Sequence, residues 1–276
     1  MKPKKMTERI AFIGGGNMAS AIIGGLVREG TPVAMIDVVE PVAEARSALL
    51  QQHGVLAQPE AGPFLNEAAL VIWAVKPQMF RQAADPVCPY TLLALHLSVA
   101  AGIRTDSIAQ WLNSERVVRA MPNTPALIGR GITALFARAT VTAAERSRVD
   151  AVIATTGDVL WLAAEEQLDA VTALSGSGPA YMFYFMEAMR AAGVEMGLPA
   201  EQAYQLAVAT FIGAGELARA SSEPPEVLRR RVTSPGGTTH AAISMMAQTD
   251  VGGQFIRAMH AARSRATEMG QEFGAA

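Results

Sequence analysis

The chain has 276 residues, half of them hydrophobic, with 23 Lys and Arg against 25 Asp and Glu. This composition excludes a disordered chain and the basic footprint of a nucleic-acid binder, while the single cysteine, Cys88, excludes an internal disulfide and leaves no Cys-based zinc site, so no metal is expected. The length suits roughly two domains.

Lys2, Lys4, Lys5 and Arg9 precede an apolar run of only four residues, too short for a signal peptide, and are read as a solvated tail. Elsewhere, apolar stretches are interrupted well before the ~20 residues of a membrane span, so a cytoplasmic protein without membrane contact is expected. Residues 10–13 read as a strand that runs into Gly14-Gly15-Gly16, with Asn17 as the N-cap of a helix. Met18, Ile22, Ile23, Leu26 and Val27 form that helix's apolar stripe, Gly30 ends it, and residues 33–36 read as a second buried strand. Gly14, Gly16 and Ala19 match the G-x-G-x-x-G/A dinucleotide pattern, which expects a pyrophosphate at Gly14, Gly16, Asn17 and Met18. Asp37, placed at the end of the second strand, is the expected partner of the adenosine ribose, with Glu40 as the alternative. An acid there leans to NADH over NADPH.

A helix over 41–53 and a short strand over 55–57 follow. Residues 70–75 then form a continuous apolar run ending at Lys76-Pro77, residues 92–99 end at Ala100-Ala101-Gly102, and residues 117–121 end at Pro122-Asn123-Thr124-Pro125. Three buried strands thus deliver short loops to one sheet edge, where ligands of doubly wound sheets bind. Ala74, Val75, Lys76, Pro77, Ala100 and Asn123 are therefore expected at the dinucleotide. Strands over 132–136 and 159–162 flank a helix that opens with the capping box Thr142-x-x-Glu145.

Past residue 162 the strand pattern gives way to helices over 166–174, 179–196, 199–220, 225–232, 239–247 and 251–273. The division expected is 1–163 for dinucleotide binding and 164–276 for an all-α domain. Met182, Phe183, Phe185, Met186 and Met189 load one helix, and Leu206, Val208, Phe211, Ile212 and Leu217 surround the next. Helices apolar on all sides must be buried, and a domain of about 110 residues has too little interior for several of them, so a helical dimer interface is expected. Arg229-Arg230-Arg231 reads as a solvated helix face.

Two glycine-rich turns in this half feed helices. For Ser175-Gly176-Ser177-Gly178 the expected role is close packing at Gly176 and Gly178; for Ser234-Pro235-Gly236-Gly237-Thr238-Thr239 it is an anion nest, with the hydroxyls of Ser234, Thr238 and Thr239 as directed partners. Together with Gly14-Gly15-Gly16-Asn17-Met18-Ala19, Ala74-Val75-Lys76-Pro77, Met121-Pro122-Asn123-Thr124-Pro125 and the block from Asp169 to Tyr181, these motifs resemble the pyrroline-5-carboxylate reductase family. The resemblance covers nearly the whole chain. It implies an α/β fold, a Rossmann-type doubly wound, mostly parallel sheet followed by an all-α dimerisation domain, and reduction of a cyclic imine carboxylate to L-proline by NAD(P)H.

It also implies that Ser234, Gly236, Gly237 and Thr238 hold the substrate carboxylate, that Thr239 bonds the ring nitrogen, and that Glu165 lies near the substrate. The implied assembly is a homodimer at least, with a larger oligomer of dimers as the alternative. Family members often use NADPH and lack the acid at the second strand, and an asparagine that touches the ribose in many members is replaced here by Pro59-Glu60-Ala61. The cofactor is therefore NADPH or NADH, the family's habit favouring the first and Asp37 the second. A β-hydroxy-acid dehydrogenase, which needs a lysine in its helical half, fits poorly, because all four lysines lie at or before position 76. Reductases of other cyclic imine acids and a non-catalytic dinucleotide-binding homologue are the remaining readings.

Overall fold

The computed structural model describes residues 8–274; Lys2, Lys4 and Lys5 lie outside them. Two compact units result, one made of residues 8–177 together with 262–274, the other of Gly178–Ala261.

The first unit begins with β1 (Arg9–Ile13), whose alternate side chains enter cores on both faces of the sheet, as a central parallel strand requires. Then α1 (Asn17–Arg28) packs Ala19, Ile22, Ile23 and Leu26 onto one face. Gly16, not Asn17, is its cap residue. The expected strand at 33–36 is displaced: Pro32 starts a single 3₁₀ turn over Val33–Met35, closed by the Met35 amide on the Pro32 carbonyl at 2.9 Å, so β2 runs over Ile36–Val39. Next come α2 (Ala43–His53), stopped by Gly54 at φ 71°, and β3 (Ala57–Gln58). The remaining elements up to residue 171 are β4 (Ala68–Trp73), α3 (Phe80–Val87), β5 (Leu95–Ser98), α4 (Thr105–Leu112), β6 (Val117–Met121), β7 (Gly131–Ala137), α5 (Ala143–Ile153), β8 (Gly157–Trp161) and α6 (Gln167–Val171).

These strands form one sheet in the order β3-β2-β1-β4-β5-β6-β7-β8, parallel throughout except between β6 and β7. The order reverses between β1 and β4, which makes the carboxyl ends of those two strands the topological switch point where ligands enter such sheets. Fully buried Ile10, Phe12, Leu70 and Ile72 fill one face, and Val71, Trp73, Phe80 and Ile108 fill the other. Each such side chain contributes roughly 1.5–3 kcal/mol through its removal from water.

Arg9 does not belong to a solvated tail. It opens β1 and holds Asp37 through two parallel hydrogen bonds of 3.0 and 2.9 Å. After α6, residues Thr172–Gly176 continue as one π-helical turn rather than a free loop, with the Ser177 amide on the Thr172 carbonyl at 2.8 Å. A Cβ at Gly176 would lie 2.4 Å from the Met121 methyl, so close packing accounts for that glycine; at Gly178 nothing lies within 4 Å, and packing does not account for it.

The second unit contains α7 (Gly178–Glu195), α8 (Ala200–Ala220), α9 (Pro225–Arg231), α10 (Thr238–Gln248) and the first part of α11 (Val251–Gly274). The helices α7 and α8 meet through small residues, Gly193 against Ala203. Among the described residues of this unit only Gly193, Ala203 and Ala207 are buried, while Phe183, Tyr184, Leu206, Ile212 and Leu217 are all more than half exposed. So much exposed apolar surface marks an association face. Arg229, Arg230 and Arg231 are exposed in the last turn of α9, as a solvated face requires. No described helix is long and apolar enough to cross a membrane.

Candidate active site

The glycine loop is built into the switch point. Gly14 has φ 95°, a conformation that costs an L side chain about 1–2 kcal/mol. Its amide donates to the Val39 carbonyl at 2.8 Å, and a Cβ there would sit 2.6 Å from the Ala74 carbonyl oxygen and 3.2 Å from the Val75 side chain. Ala74 is itself tied to β1 through its amide on the Ile13 carbonyl, at 2.8 Å. Gly16 differs: it is exposed, and no atom lies within 4 Å of a Cβ built on it. The loop is closed at Gly14 and open at Gly16. The first main-chain bond at the start of α1 runs from Ser20 to the Gly16 carbonyl at 2.9 Å, and no side chain caps the helix, so the amides of Asn17, Met18 and Ala19 keep the orphan donors of a helix N-terminus. An open glycine before unfilled amides fits a pyrophosphate.

Asp37 is not where the ribose was expected. Because β2 starts at Ile36, Asp37 pairs with Ala11 near the start of the strand, and Arg9 occupies its carboxylate. The acid at the strand's end is Glu40, which is 8% exposed. Its Oε2 accepts the Gly15 amide at 2.7 Å and its Oε1 the Val42 amide at 2.8 Å. Arg46 donates from one nitrogen to the carbonyls of Glu40 and Pro41, at 3.0 and 2.8 Å.

The other edge loops divide by role. Ala74 and Val75 wall the glycine loop; Lys76 is exposed and starts a 3₁₀ turn at Pro77. Ala100 is buried, its amide on the Ser98 hydroxyl at 3.3 Å. Asn123 fastens its own loop, donating to the Ser175 carbonyl at 3.2 Å and accepting from the Ile132 amide at 3.0 Å. Glu165, expected near the substrate, is engaged elsewhere. Its carboxylate accepts the amide and hydroxyl of Thr105, both at 2.7 Å, and the Arg119 guanidinium at 3.0 Å, so it caps α4 and neutralises a buried arginine.

In the second unit, Ser234 and Gly237 close a turn through the Gly237 amide on the Ser234 carbonyl, at 3.0 Å. Pro235 and Gly236, the latter at φ 73°, supply the two middle positions as a type II turn demands. Gly237 then caps α10, whose first main-chain bond runs from Ala241 to the Gly237 carbonyl at 3.1 Å. The Gly237 amide is therefore used by the turn, and the open donors are those of Thr238, Thr239 and His240. Ser234 and Thr238 are exposed and Thr239 half-buried.

A model for pyrroline-5-carboxylate reductase dimerisation matches residues 165–269, and one for NADP oxidoreductase, coenzyme F420-dependent, matches residues 9–102. A pyrroline-5-carboxylate reductase of Pseudomonas aeruginosa is 42% identical over 97% of this chain and 99% of its own. The chain belongs to the pyrroline-5-carboxylate reductase family. Solved members from Coxiella burnetii (TM-score 0.88, 36% identity, 96% of this chain and 99% of that one) and Plasmodium falciparum, the latter with NADP bound (TM-score 0.87, 24% identity, 97% and 100%), share the fold. Assignment to the family's dimerisation model explains the exposed apolar helices, which homodimer formation covers.

Three features of this family member were not read from its sequence. The clasp of Glu40 on Gly15 depends on where β2 ends, which the turn at Pro32 shifts. The His240 amide is an open donor because it lies in the first turn of α10, before the first main-chain bond at Ala241, and the glycine cap at 237 could have signalled this. Arg119, 2% exposed on β6, is lowered from its ordinary range by burial, while Glu165 opposes that shift; an arginine amid an apolar strand is the signal that an acid must meet it.

Proposed function

We infer that the chain catalyses reduction of 1-pyrroline-5-carboxylate to L-proline with NAD(P)H, acting in the cytoplasm as a homodimer at least. The observation that carries this reading is the likeness to a pyrroline-5-carboxylate reductase at 42% identity over 97% of the chain. When bound, NAD(P)H would supply the hydride that the C=N carbon takes up. The amides of Gly16, Asn17 and Met18 hold the pyrophosphate, and Ala74 and Val75 fix the loop that presents them.

The substrate carboxylate sits on the amides of Thr238, Thr239 and His240, where the helix end carries about half a positive charge. The Ser234 hydroxyl and the turn at Gly236 and Gly237 shape this seat. Thr239, in the first turn of α10, orients the ring nitrogen. As the C–H bond forms, the C=N π electrons localise on that nitrogen, already protonated as the iminium, and give the amine. An iminium is electrophilic as it stands, so the protein's task is orientation more than proton transfer. Glu165 has no part in substrate contact in this scheme, because Thr105 and Arg119 take its carboxylate.

The test is oxidation of NADH and of NADPH with pyrroline-5-carboxylate, with L-proline identified as product. Stoichiometric proline is expected with at least one cofactor; dinucleotide binding without turnover would instead support a non-catalytic homologue, and turnover only with another cyclic imine acid would move the substrate assignment.

A further inference from the structure

Glu40 stands at the position from which an acid selects between the two nicotinamide cofactors, and the structure shows what it does there. Glu40 is 8% exposed, and its carboxylate touches the glycine loop itself, through the Gly15 amide at 2.7 Å. Its second oxygen is fixed by the Val42 amide at 2.8 Å. Each carboxylate oxygen accepts two hydrogen bonds, so one acceptor site on each remains for a ribose hydroxyl.

Among the described residues no cation neutralises it directly: Arg46 binds the backbone carbonyls of Glu40 and Pro41, and Arg9 is held by Asp37. Clasped by two main-chain donors, the Glu40 side chain cannot swing away to make room. A 2′-phosphate brought to this seat meets a like charge, whereas a 2′-hydroxyl meets an acceptor.

We propose that Glu40 makes this chain an NADH-preferring enzyme by reading the adenosine 2′-hydroxyl, against the NADP named by the matching oxidoreductase model. The proposal rests on the dinucleotide reading of the glycine loop. Arg46 is the rival reader, since an arginine near this strand end is the usual partner of a 2′-phosphate. In this chain its contacts hold the turn after β2, and it positions Glu40 more than it offers a phosphate seat.

The deciding experiment is calorimetric binding of ADP-ribose and 2′-phospho-ADP-ribose, which need no turnover, to the wild-type protein across a range of salt. ADP-ribose is expected to bind at least about tenfold tighter, the ratio set by one repulsion of ~1.4 kcal/mol. Binding of the phosphorylated ligand is expected to strengthen with salt as the repulsion is screened. In Glu40→Ser the ratio is expected to fall to about threefold or less. Equal affinities, or tighter 2′-phospho-ADP-ribose binding that weakens with salt and is lost in Arg46→Ala, would overturn the proposal. Should Glu40→Ser fail to fold, the wild-type ratio and its salt dependence still decide. Binding of neither ligand would remove the dinucleotide reading itself, and the proposal with it.

Discussion

Two helices begin in the same way but in different surroundings. Both α1 and α10 start after a glycine cap, Gly16 and Gly237, with no side chain filling their orphan amides. By contrast α5, at a distance from either loop in sequence, is closed by a full capping box of Thr142 and Glu145. Around α1 the loop is finished: Gly14 and Gly15 are buried, their amides bonded to Val39 and Glu40, and Ala74 forms a wall. Around α10 the turn at Pro235 and Gly236 is exposed. A dinucleotide's constant part can be met by a rigid seat that the sheet core builds in advance, whereas the second unit buries few residues within one chain and leaves its apolar helices to be covered by the dimer.

The strongest way to break this contrast is to prevent association of the second unit. Ile212 is 56% exposed on α8. Ile212→Glu, present twice in a symmetric dimer, is expected to cost more than about 4 kcal/mol per subunit and to give monomers by sedimentation; an unchanged dimer would show that α8 does not lie at the interface. Gly14→Ala tests the finished seat. With φ 95° and the Ala74 oxygen 2.6 Å away, it is expected to lose about 3–4 kcal/mol of stability and measurable dinucleotide binding, and a wild-type melting temperature would refute the rigid wall.

The sheet core that supports this seat should also fail in acid. Burial, with Arg116 nearby, lowers His96 from 6.5 to about 4, and its Nδ1 accepts the Trp73 indole N–H at 3.2 Å. The unfolded chain takes up a proton near pH 6.5 and the folded chain only near 4, so this contribution is complete above pH 6.5 and declines as the pH falls to about 4. The loss is about 3 kcal/mol, readable as the change in urea stability between pH 7 and 4 against His96→Asn; equal acid sensitivity in the two proteins would contradict it. A smaller effect is expected from Thr239→Ala. A drop of about 10- to 100-fold in kcat/KM for pyrroline-5-carboxylate, or ~1.4–2.7 kcal/mol, should come with an unchanged melting temperature, and full activity would remove Thr239 from the substrate site.

The succession of strands along the chain and the long helices were legible because their apolar runs are continuous and their ends carry glycine or proline. What escaped was decided by contacts distant in sequence. The turn at Pro32 moved β2, and with it the identity of the strand-end acid from Asp37 to Glu40. Glu165 was marked only through the family resemblance, and its partners Thr105 and Arg119 lie 60 and 46 residues away, beyond any local pattern. The helices α3 and α4 were not read, each being only eight residues long, and Pro86 inside α3 is itself a breaker signal. For the glycines the pattern indicated where the chain turns, but only the neighbours distinguish Gly14, walled by Ala74, from open Gly16.

The central claim is that the two glycine-capped helices divide the reaction between them, α1 holding the dinucleotide and α10 the imine acid. It is tested most directly by the KM values for both substrates in Gly16→Ala and Thr239→Ala, each measured with the other substrate saturating. The expected pattern is crossed: Gly16→Ala, which meets no protein atom within 4 Å, raises only the cofactor KM, and Thr239→Ala impairs only the pyrroline-5-carboxylate side. Equal impairment of both substrates by either variant, or an uncrossed pattern, would contradict the division.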